Sequence, residues 1–590
     1  MVLSNSDKRT IVFLFIGVLI TGIFEVAGIA SIGPFMGVVT SPNLIHDNQY
    51  LDLVYKYLEF NNDSEFLVAL GSGVVLLLVT TNIFLAFMVW RLTLFVNLLS
   101  HRLSVKLLWI YLNKPYQFFL DHNTTELGKN VLFEISRGVQ GAILPALLAI
   151  SRIFIIILVV SLLLVINPQL VIIALLILVG SYFLIYKSLS ARLLNAGNLS
   201  VTSNRDKYKF VTEALSGIKE VKLYNKQSDF VDQYSKESEV FAHCNTNSSI
   251  ISQIPRYFVE AVAFSGIVFL IIFLTQKGKD SSEVIPMVSV FALAAYRLVP
   301  ALQQVYHSIS QIKYNLPILE ILGNDLNDET ISRNSTLSNT AAIPHNKKLD
   351  LIDVSFKYQN SSNLILNNVS LSIKPNTIVG IVGLTGSGKT TLINLIMGLI
   401  EPTNGHIAVG GKVLDETNMP SWQKNIGYVP QDIFLIDDTI KNNIIFASYS
   451  DDTDADFINV VDSAKIAGIS DFIDSLPNGY DTMVGERGVR LSGGQIQRIG
   501  IARALYRSPT VIIFDEATSS LDGITEKILM ETIQKIAHKK TVIMVAHRLT
   551  SVKRCDVIHL IENGVIAESG SYDKLITQDL SFKKMVDSHK

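Results

Sequence analysis

Residues Thr377–Ile400 read TIVGIVGLTGSGKTTLINLIMGLI. A β-rich apolar run, a glycine-rich turn, a lysine with two threonines and an apolar helical run follow one another without a break. This is the pattern GxxxxGK[ST] in the strand–loop–helix setting its chemistry requires. Gly383, Thr385, Gly386, Ser387 and Gly388 form a loop whose backbone N–H groups curl around a β-phosphate. Lys389 reaches the β- and γ-phosphates, the Thr390 hydroxyl is placed for Mg2+, and Thr391 belongs with the loop to the ATP-binding residues.

Two further stretches belong to the same chemistry. The run VIIFDE ends an apolar strand in two carboxylates, where Asp515 is placed to hold Mg2+ through water and Glu516 to polarise an attacking water. The stretch Leu491–Gln495, LSGGQ, precedes the helix IQRIGIARALY. Ser492, Gly493, Gly494 and Gln495 stand where free N–H groups and the positive end of a helix dipole grip phosphate. One nucleotide does not need two such grips from one chain.

The order and spacing of the glycine-rich loop, LSGGQ, FDEATSSLD and VAHRL resemble the ATP-binding-cassette family over residues 349–590. The resemblance implies that LSGGQ holds the γ-phosphate of ATP bound to the opposite subunit's loop, so that two chains form a homodimer with two composite sites. It also implies roles for single residues: Tyr358 stacks on adenine, Gln431 touches Mg2+ and water, His547 switches at the γ-phosphate, and Asp522 closes the dimer loop. VGERG around Glu486 resembles the exporter-type segment that touches the inner loops of the membrane part. Ile496 departs from the family, which places a polar or basic residue there. ATP and Mg2+ are the implied cofactors, and ATP hydrolysis coupled to transport is the implied activity.

The rest of the chain is of a different kind. Of 590 residues 49% are hydrophobic and 17% charged, which is too apolar for a soluble protein of this length. The formal net charge of −2 offers no basic footprint for nucleic acid. Cys244 and Cys555 lie far apart, without metal-ligand spacing, and read as free thiols facing a reducing compartment. Apolar runs long enough to cross hydrocarbon cluster before residue 305, at 10–39, 66–90, 143–166, 170–186, 257–275 and 284–302. The first is too long for a cleaved signal peptide.

This predicts a six-helix, all-α transmembrane domain over 1–320, a polar linker over 321–348 and an α/β nucleotide-binding cassette over 349–590. Asn43 to Glu65 carries five acidic residues against one lysine and is placed outside. Arg102, Lys106, Lys114 and the run 187–256 supply the basic cytosolic side. The cassette is therefore expected in the cytoplasm, with the spans in a bacterial inner membrane. Helical patterns in the long inner loops predict that spans two to five continue into the cytosol, with short coupling helices near Asn123–Asn130 and Ser216–Asn225.

Ionisable residues inside spans are functional candidates by default. Arg297 reads as a cavity-lining cation or as a structural partner of Glu260 or Glu25. Arg152, Arg256 and Glu25 are further candidates for the cavity wall. Leu51, Val54, Tyr55 and Leu58 recur at helical spacing, which suits an amphipathic helix at the outer leaflet or one packed on the spans. FEVAGIASIGPF, IPRYFVEAVAF and SVFALAAYRLVPALQQVYHSISQIKY resemble the lipid-linked-oligosaccharide flippases of bacterial protein N-glycosylation. That implies a cavity whose basic residues, here Arg256 and Arg297, face the pyrophosphate of a polyprenyl-linked glycan. The second span has no basic residue before Arg91, where that family supplies one. A peptide, bacteriocin or general lipid exporter is the alternative. An ATP-gated channel or sensor is the alternative of another class, in which the catalytic glutamate is often degenerate, whereas Glu516 is intact.

Overall fold

The computed structural model describes residues 5–590 apart from 167, 277–280, 328–342, 345, 359–360, 362, 447–453, 517–522, 538, 547–548, 550, 579 and 589–590. It divides into two units, Met1–Lys114 with Phe118–Ile331 and Pro115–Gln117 with Ser332–Lys590.

The first unit is all helix: α1 (Asn5–Thr40), α2 (Leu44–Asp47), α3 (Gln49–Tyr57), α4 (Asp63–Leu112), α5 (Tyr116–Asp121), α6 (Thr124–Lys129), α7 (Ile135–Gly138), α8 (Leu144–Ile166), α9 (Pro168–Ser216), α10 (Ile218–Leu223), α11 (Gln227–Gln276) and α12 (Ser281–Leu326). Helix α4 has 50 residues, α9 has 49 and α11 has 50. At a rise of about 1.5 Å per residue each exceeds twice the roughly 30 Å of a hydrocarbon core, so the expected helical extensions are present. Among the described residues five helices are long and apolar enough to cross a membrane: Ser6–Thr40, Asp63–Leu112, Thr124–Val165, Val171–Ser216 and Val288–Leu326. The expected span 257–275 lies in α11 and is not among the five. Side chains 263, 270 and 273–275 within it are outside the described set.

The first stretch expected to hold a short helix, Asn123–Asn130, contains α6. Asn123 accepts a hydrogen bond from the Thr125 N–H at 2.8 Å and caps α6. That cap makes Thr124–Lys129 the first turn of the third long helix, and the separate short helix is α5, just before it. The second stretch contains α10. Between α6 and α8 the helix passes through two π-helical turns, Asn130–Glu134 and Val139–Ile143. There the sequence hides a buried polar network. Glu134 takes Asn204 Nδ2 at 2.9 Å and lies 3.4 Å from Lys129 Nζ, while Arg137 donates to Ser200 Oγ at 2.7 Å.

Part of the apolar face of α3 packs on the spans, while Val54 and Leu58 are exposed. Leu51 and Tyr55 pack on a cluster with Val38, Ile45 and Phe66, whereas Tyr50, Leu53 and Tyr57 are exposed. Helix α12 continues to Leu326, inside the expected linker, and the first strand begins at Leu349.

The second unit carries two sheets. The strands are β1 (Leu349–Phe356), β2 (Leu366–Ile373), β3 (Ile378–Val382), β4 (Asn404–Val409), β5 (Lys412–Val413), β6 (Ile426–Val429), β7 (Val511–Asp515), β8 (Thr541–Val545), β9 (Val557–Glu562) and β10 (Val565–Gly570). Strands β2-β1-β4-β5 form an antiparallel sheet, and β10-β9-β3-β8-β7-β6 a six-stranded sheet that is parallel apart from its β10 edge. Strand β7 shows why the second sheet is covered on both faces. Val511 and Ile513 point into one apolar cluster, Ile512 and Phe514 into the other, as a period of two dictates. Its helices include α13 (Lys389–Ile396), α14 (Met419–Gln423), α15 (Ile440–Ile445), α16 (Asp454–Ile466), α17 (Ser470–Asp474) and α18 (Gly493–Tyr506).

Candidate functional site

The parallel register gathers the phosphate chemistry at one sheet edge. Ile381 pairs with Val545, Asp515 pairs with Val545, and Val429 pairs with Phe514. The loop after β3, the Asp515–Glu516 step after β7 and Gln431 after β6 therefore emerge together at the carboxyl ends of the strands, where open α/β sheets bind ligands. Lys389, at the first position of α13, is buried and donates to the carbonyl oxygens of Gly383 at 2.8 Å and Leu384 at 2.9 Å. Burial pulls its ammonium below the usual lysine range, while the Glu516 and Asp515 charges pull the other way.

The loop is shaped for a phosphate. Gly386 and Gly388 have φ of +82° and +103°, in the region that favours glycine. A Cβ on Gly383 would stand 2.3 Å from the Ile561 carbonyl oxygen. Ser387 Oγ is buried and makes no hydrogen bond within the protein, the condition of a donor kept for a phosphate oxygen. For Mg2+ the residues also fit. Thr390 is exposed at the start of α13, and Asp515, only 8% exposed, ends β7; both offer hard oxygens suited to an ion that takes few protein groups beside phosphate and water. Tyr428 donates to Asp515 Oδ2 at 3.2 Å and orients it, and burial raises the pKa of that phenol. Glu516, half-buried, holds φ of +50° while its N–H donates to the Val545 carbonyl at 3.1 Å, a costly backbone state for a non-glycine residue.

Tyr358 stands at the far end of the loop, its hydroxyl 3.4 Å from Thr391 Oγ1 and its ring edge-on to Phe356. Ser492 and Gln495 form a capping box at the start of α18: Ser492 Oγ accepts from Gln495 N at 3.3 Å, and Gln495 Oε1 accepts from Ser492 N at 2.8 Å. A Cβ on Gly493 would meet nothing within 4 Å, so the N-terminus of α18 is open. Ile496 packs against the apolar core beside Leu435 and Gly488, which accounts for an apolar residue there. Glu486, Arg487 and Val489 are exposed. Asp522 and His547 lie outside the described residues.

Sequence reasoning missed the residues that tie the Gln431 loop to α18. Arg503 is half-buried and donates to the carbonyls of Phe434 at 2.7 Å and Asn443 at 2.8 Å. Asn443, fully buried, holds Ile436 through both its backbone N–H and carbonyl, each at 3.0 Å. Ile433 fills the space at Gly500, where a Cβ would be 2.3 Å from its Cδ1. No local pattern in the sequence marks Arg503, because the carbonyls it meets are distant in the chain.

In the first unit the structure separates the candidates. Arg256 pairs with Glu260 at 2.5 Å and lines a cleft of about 320 Å³ with Gln253, Tyr257, Gln303, Gln304 and His307. Arg152 and Arg297 converge instead on Glu25, at 3.9 and 3.8 Å. Of the two partners considered for Arg297, Glu25 is the one it meets.

The family model described as ABC transporter matches residues 366–519, and the model for the ABC transporter transmembrane region matches residues 3–295. The chain is similar to the alpha-hemolysin translocation ATP-binding protein HlyB of Escherichia coli, 33% identical over 64% of this chain and 52% of that protein. It is similar to the ATP-dependent lipid A-core flippase of Syntrophus aciditrophicus, 30% identical over 63% of this chain and 61% of that protein. The match thus spans about half to three fifths of these relatives' lengths. The solved structure of a bacterial Atm1-family ABC exporter with ATP bound shares the fold, with a TM-score of 0.79 at 22% identity over 99% of each chain.

Proposed function

This chain belongs to the ABC transporter family, a transmembrane region fused to an ATP-binding cassette, and from that premise we propose that it is an ATP-driven flippase. It moves an anionic, lipid-linked amphiphile, a polyprenyl-pyrophosphate oligosaccharide or a relative of one, from the cytosolic to the outer side of a bacterial inner membrane. Two chains, each with six spans, assemble as a homodimer with the cassettes in the cytoplasm. Each composite site takes the Lys389 loop, Tyr358, Gln431, Asp515 and Glu516 from one chain and Ser492–Gln495 from the other, with Asp522 and His547 completing it. Mg2+ held by Thr390, Asp515 and Gln431 supplies charge neutralisation at the phosphates. Within the chain, Lys389 binds, Glu516 accepts a proton from water, and Tyr428 orients Asp515.

The observation that carries the cargo reading is the surplus of positive charge inside the spans. Arg152 and Arg297 share one carboxylate, Glu25, and a low-dielectric site with spare guanidinium donors favours an anionic head group. The relative named as a lipid A-core flippase supports a lipid substrate. The relative named for alpha-hemolysin translocation favours a second reading, export of a polypeptide. Proteoliposomes containing the purified protein distinguish them. ATP-dependent flipping of a labelled polyprenyl-pyrophosphate glycan, with no uptake of a labelled polypeptide, is the expected result. The reverse pattern replaces the first reading with the second.

A further inference from the structure

Glu25 on α1, Arg152 on α8 and Arg297 on α12 bring three charges from three long helices to one point. The carboxylate is 3% exposed, while the arginine side chains keep 28% and 21% of their surface. Packing fixes the point. One turn along from each member, Ile29, Ile155 and Ala294 form part of a buried apolar layer. On the other side of Glu25, a Cβ on Gly22 would stand 3.1 Å from the ring of Phe154, so α1 and α8 are already in close contact.

The geometry within this triad is that of attraction without hydrogen bonding. Glu25 Oε1 is 3.9 Å from Arg152 Nη1 and 3.8 Å from Arg297 Nη1, and it accepts no hydrogen bond. A buried pair kept for stability compensates its desolvation with short, two-pronged contacts. Here the forks stay open, and two positive charges face one negative charge.

We infer that Glu25 is an exchangeable counter-ion, which holds Arg152 and Arg297 in the absence of cargo and yields them to the phosphate of an anionic lipid head group. This rests on the reading of the cargo as an anionic amphiphile. Exchange keeps the site from standing as two bare cations between transport cycles, and it makes release possible, because the carboxylate competes the head group off. Glu25 is thus a specificity-determining residue for head-group charge. Neutral amphiphiles gain nothing from the arginines and leave the triad closed.

The test uses the purified full-length protein in phosphatidylcholine vesicles, with ATPase stimulation titrated against three probes: a polyprenyl pyrophosphate, phosphatidylglycerol and the uncharged polyprenol. Glu25→Gln removes the competing charge, so half-maximal stimulation by an anionic probe should fall to a concentration about tenfold lower, with the polyprenol curve unmoved. Glu25→Asp should retain wild-type discrimination. Arg152→Gln neutralises the triad and should shift the anionic curves the opposite way, which keeps the test decisive where Glu25→Gln does not fold. A shift for either anionic probe supports the counter-ion. If phosphatidylglycerol responds and the polyprenyl pyrophosphate does not, the counter-ion stands and the polyprenyl cargo falls. Unmoved curves for both anions, or equal shifts for all three probes, overturn it.

Discussion

Arg503 Nε donates to the carbonyl oxygen of Asn443 at 2.8 Å, and Arg503 Nη2 reaches Asn443 Oδ1 at 3.2 Å. One guanidinium thereby fastens the segment that follows Gln431 to the helix capped by Ser492. Burial drives the pKa of this guanidinium down to about 10, far enough above neutrality for it to stay charged. The two segments that approach opposite nucleotides in the proposed dimer are therefore tied to each other within each cassette.

Arg503→Ala should strip the Phe434 and Asn443 carbonyls of charged donors, at about 1.5 to 3 kcal/mol of stability. More tellingly, it should lower ATP turnover with little change in the affinity for nucleotide, because the Lys389 loop is untouched. Arg503→Lys restores the charge without the fork and should recover the melting temperature more than the turnover. Titration of a fluorescent ATP analogue beside steady-state hydrolysis separates the two effects. A matching loss in both assays would show that Arg503 serves the fold alone.

Glu516→Gln should retain ATP and reduce hydrolysis by about 100-fold or more, since the amide keeps the shape and cannot take a proton from water. The left-handed backbone at Glu516 is independent of the side-chain oxygen, so stability should change little. Single-turnover hydrolysis at saturating ATP is the measurement. Turnover within a few-fold of wild type removes Glu516 from the role of base.

A mixed dimer separates shared from self-contained sites. Lys389→Ala in one chain and Ser492→Arg in the other damage the same composite site and leave the second intact. Differently tagged chains purified in tandem should keep about half the wild-type ATPase activity if the two sites work independently, against near-zero activity for each mutant homodimer. Sites contained within single chains would give an inactive mixed dimer. Ser492→Arg also removes the α18 cap, so Ser492→Asp, which can still cap but repels phosphate, is the control.

These residues mark what could be read from sequence. The strand–loop–helix around Lys389 and the carboxylates of Asp515 and Glu516 were legible because a backbone pattern and a strand end carry them. Arg503 was not, since its partners are carbonyls 60 and 69 residues away in the chain and no local period records such a contact; Asn443 was not, since its bonds to Ile436 close an irregular loop rather than a helical or strand period. Glu134, Lys129 and Arg137 were missed for a related reason. Two π-helical turns, Asn130–Glu134 and Val139–Ile143, interrupt the helix there, and a regular 3.6-residue period does not anticipate them. The Arg152–Glu25–Arg297 triad was half legible: the charges stand out within apolar spans, but which charges meet depends on how three helices pack.

His559 gives the cassette an acid-sensitive component. It is buried beside the loop strand, pairing with Ile381 and hydrogen-bonded to Ser569 Oγ at 2.7 Å, and burial lowers its pKa to about 4. The unfolded chain, with a histidine near 6.5, binds more protons between those values. Stability therefore rises with pH across that window and is lost as pH falls from about 6.5 to about 4, by on the order of 3 kcal/mol. Calorimetry of the full-length protein should show the cassette transition moving down over this range, with a shallower slope in His559→Gln. Parallel slopes in the two proteins would assign the acid sensitivity elsewhere.

Arg297 decides between a cavity and a brace. With Arg297→Ala, Glu25 keeps only Arg152, and the local charge falls from one positive to neutral. A head group that relies on this charge then loses a charged hydrogen bond, worth about 1.5 to 3 kcal/mol, or roughly tenfold to a hundredfold in cargo affinity. Flipping should fall by that order, and ATP hydrolysis should fall much less. Arg297→Lys should restore part of the transport, because the charge remains while the planar grip does not. A brace behaves otherwise, since losing it loosens the contact of α12 with α1, so that melting temperature, ATPase and transport drop together. Flipping, ATPase and melting are therefore measured on one preparation of each variant. A stable Arg297→Ala protein that moves a polyprenyl-pyrophosphate glycan at the wild-type rate would exclude the cationic cavity and favour polypeptide export.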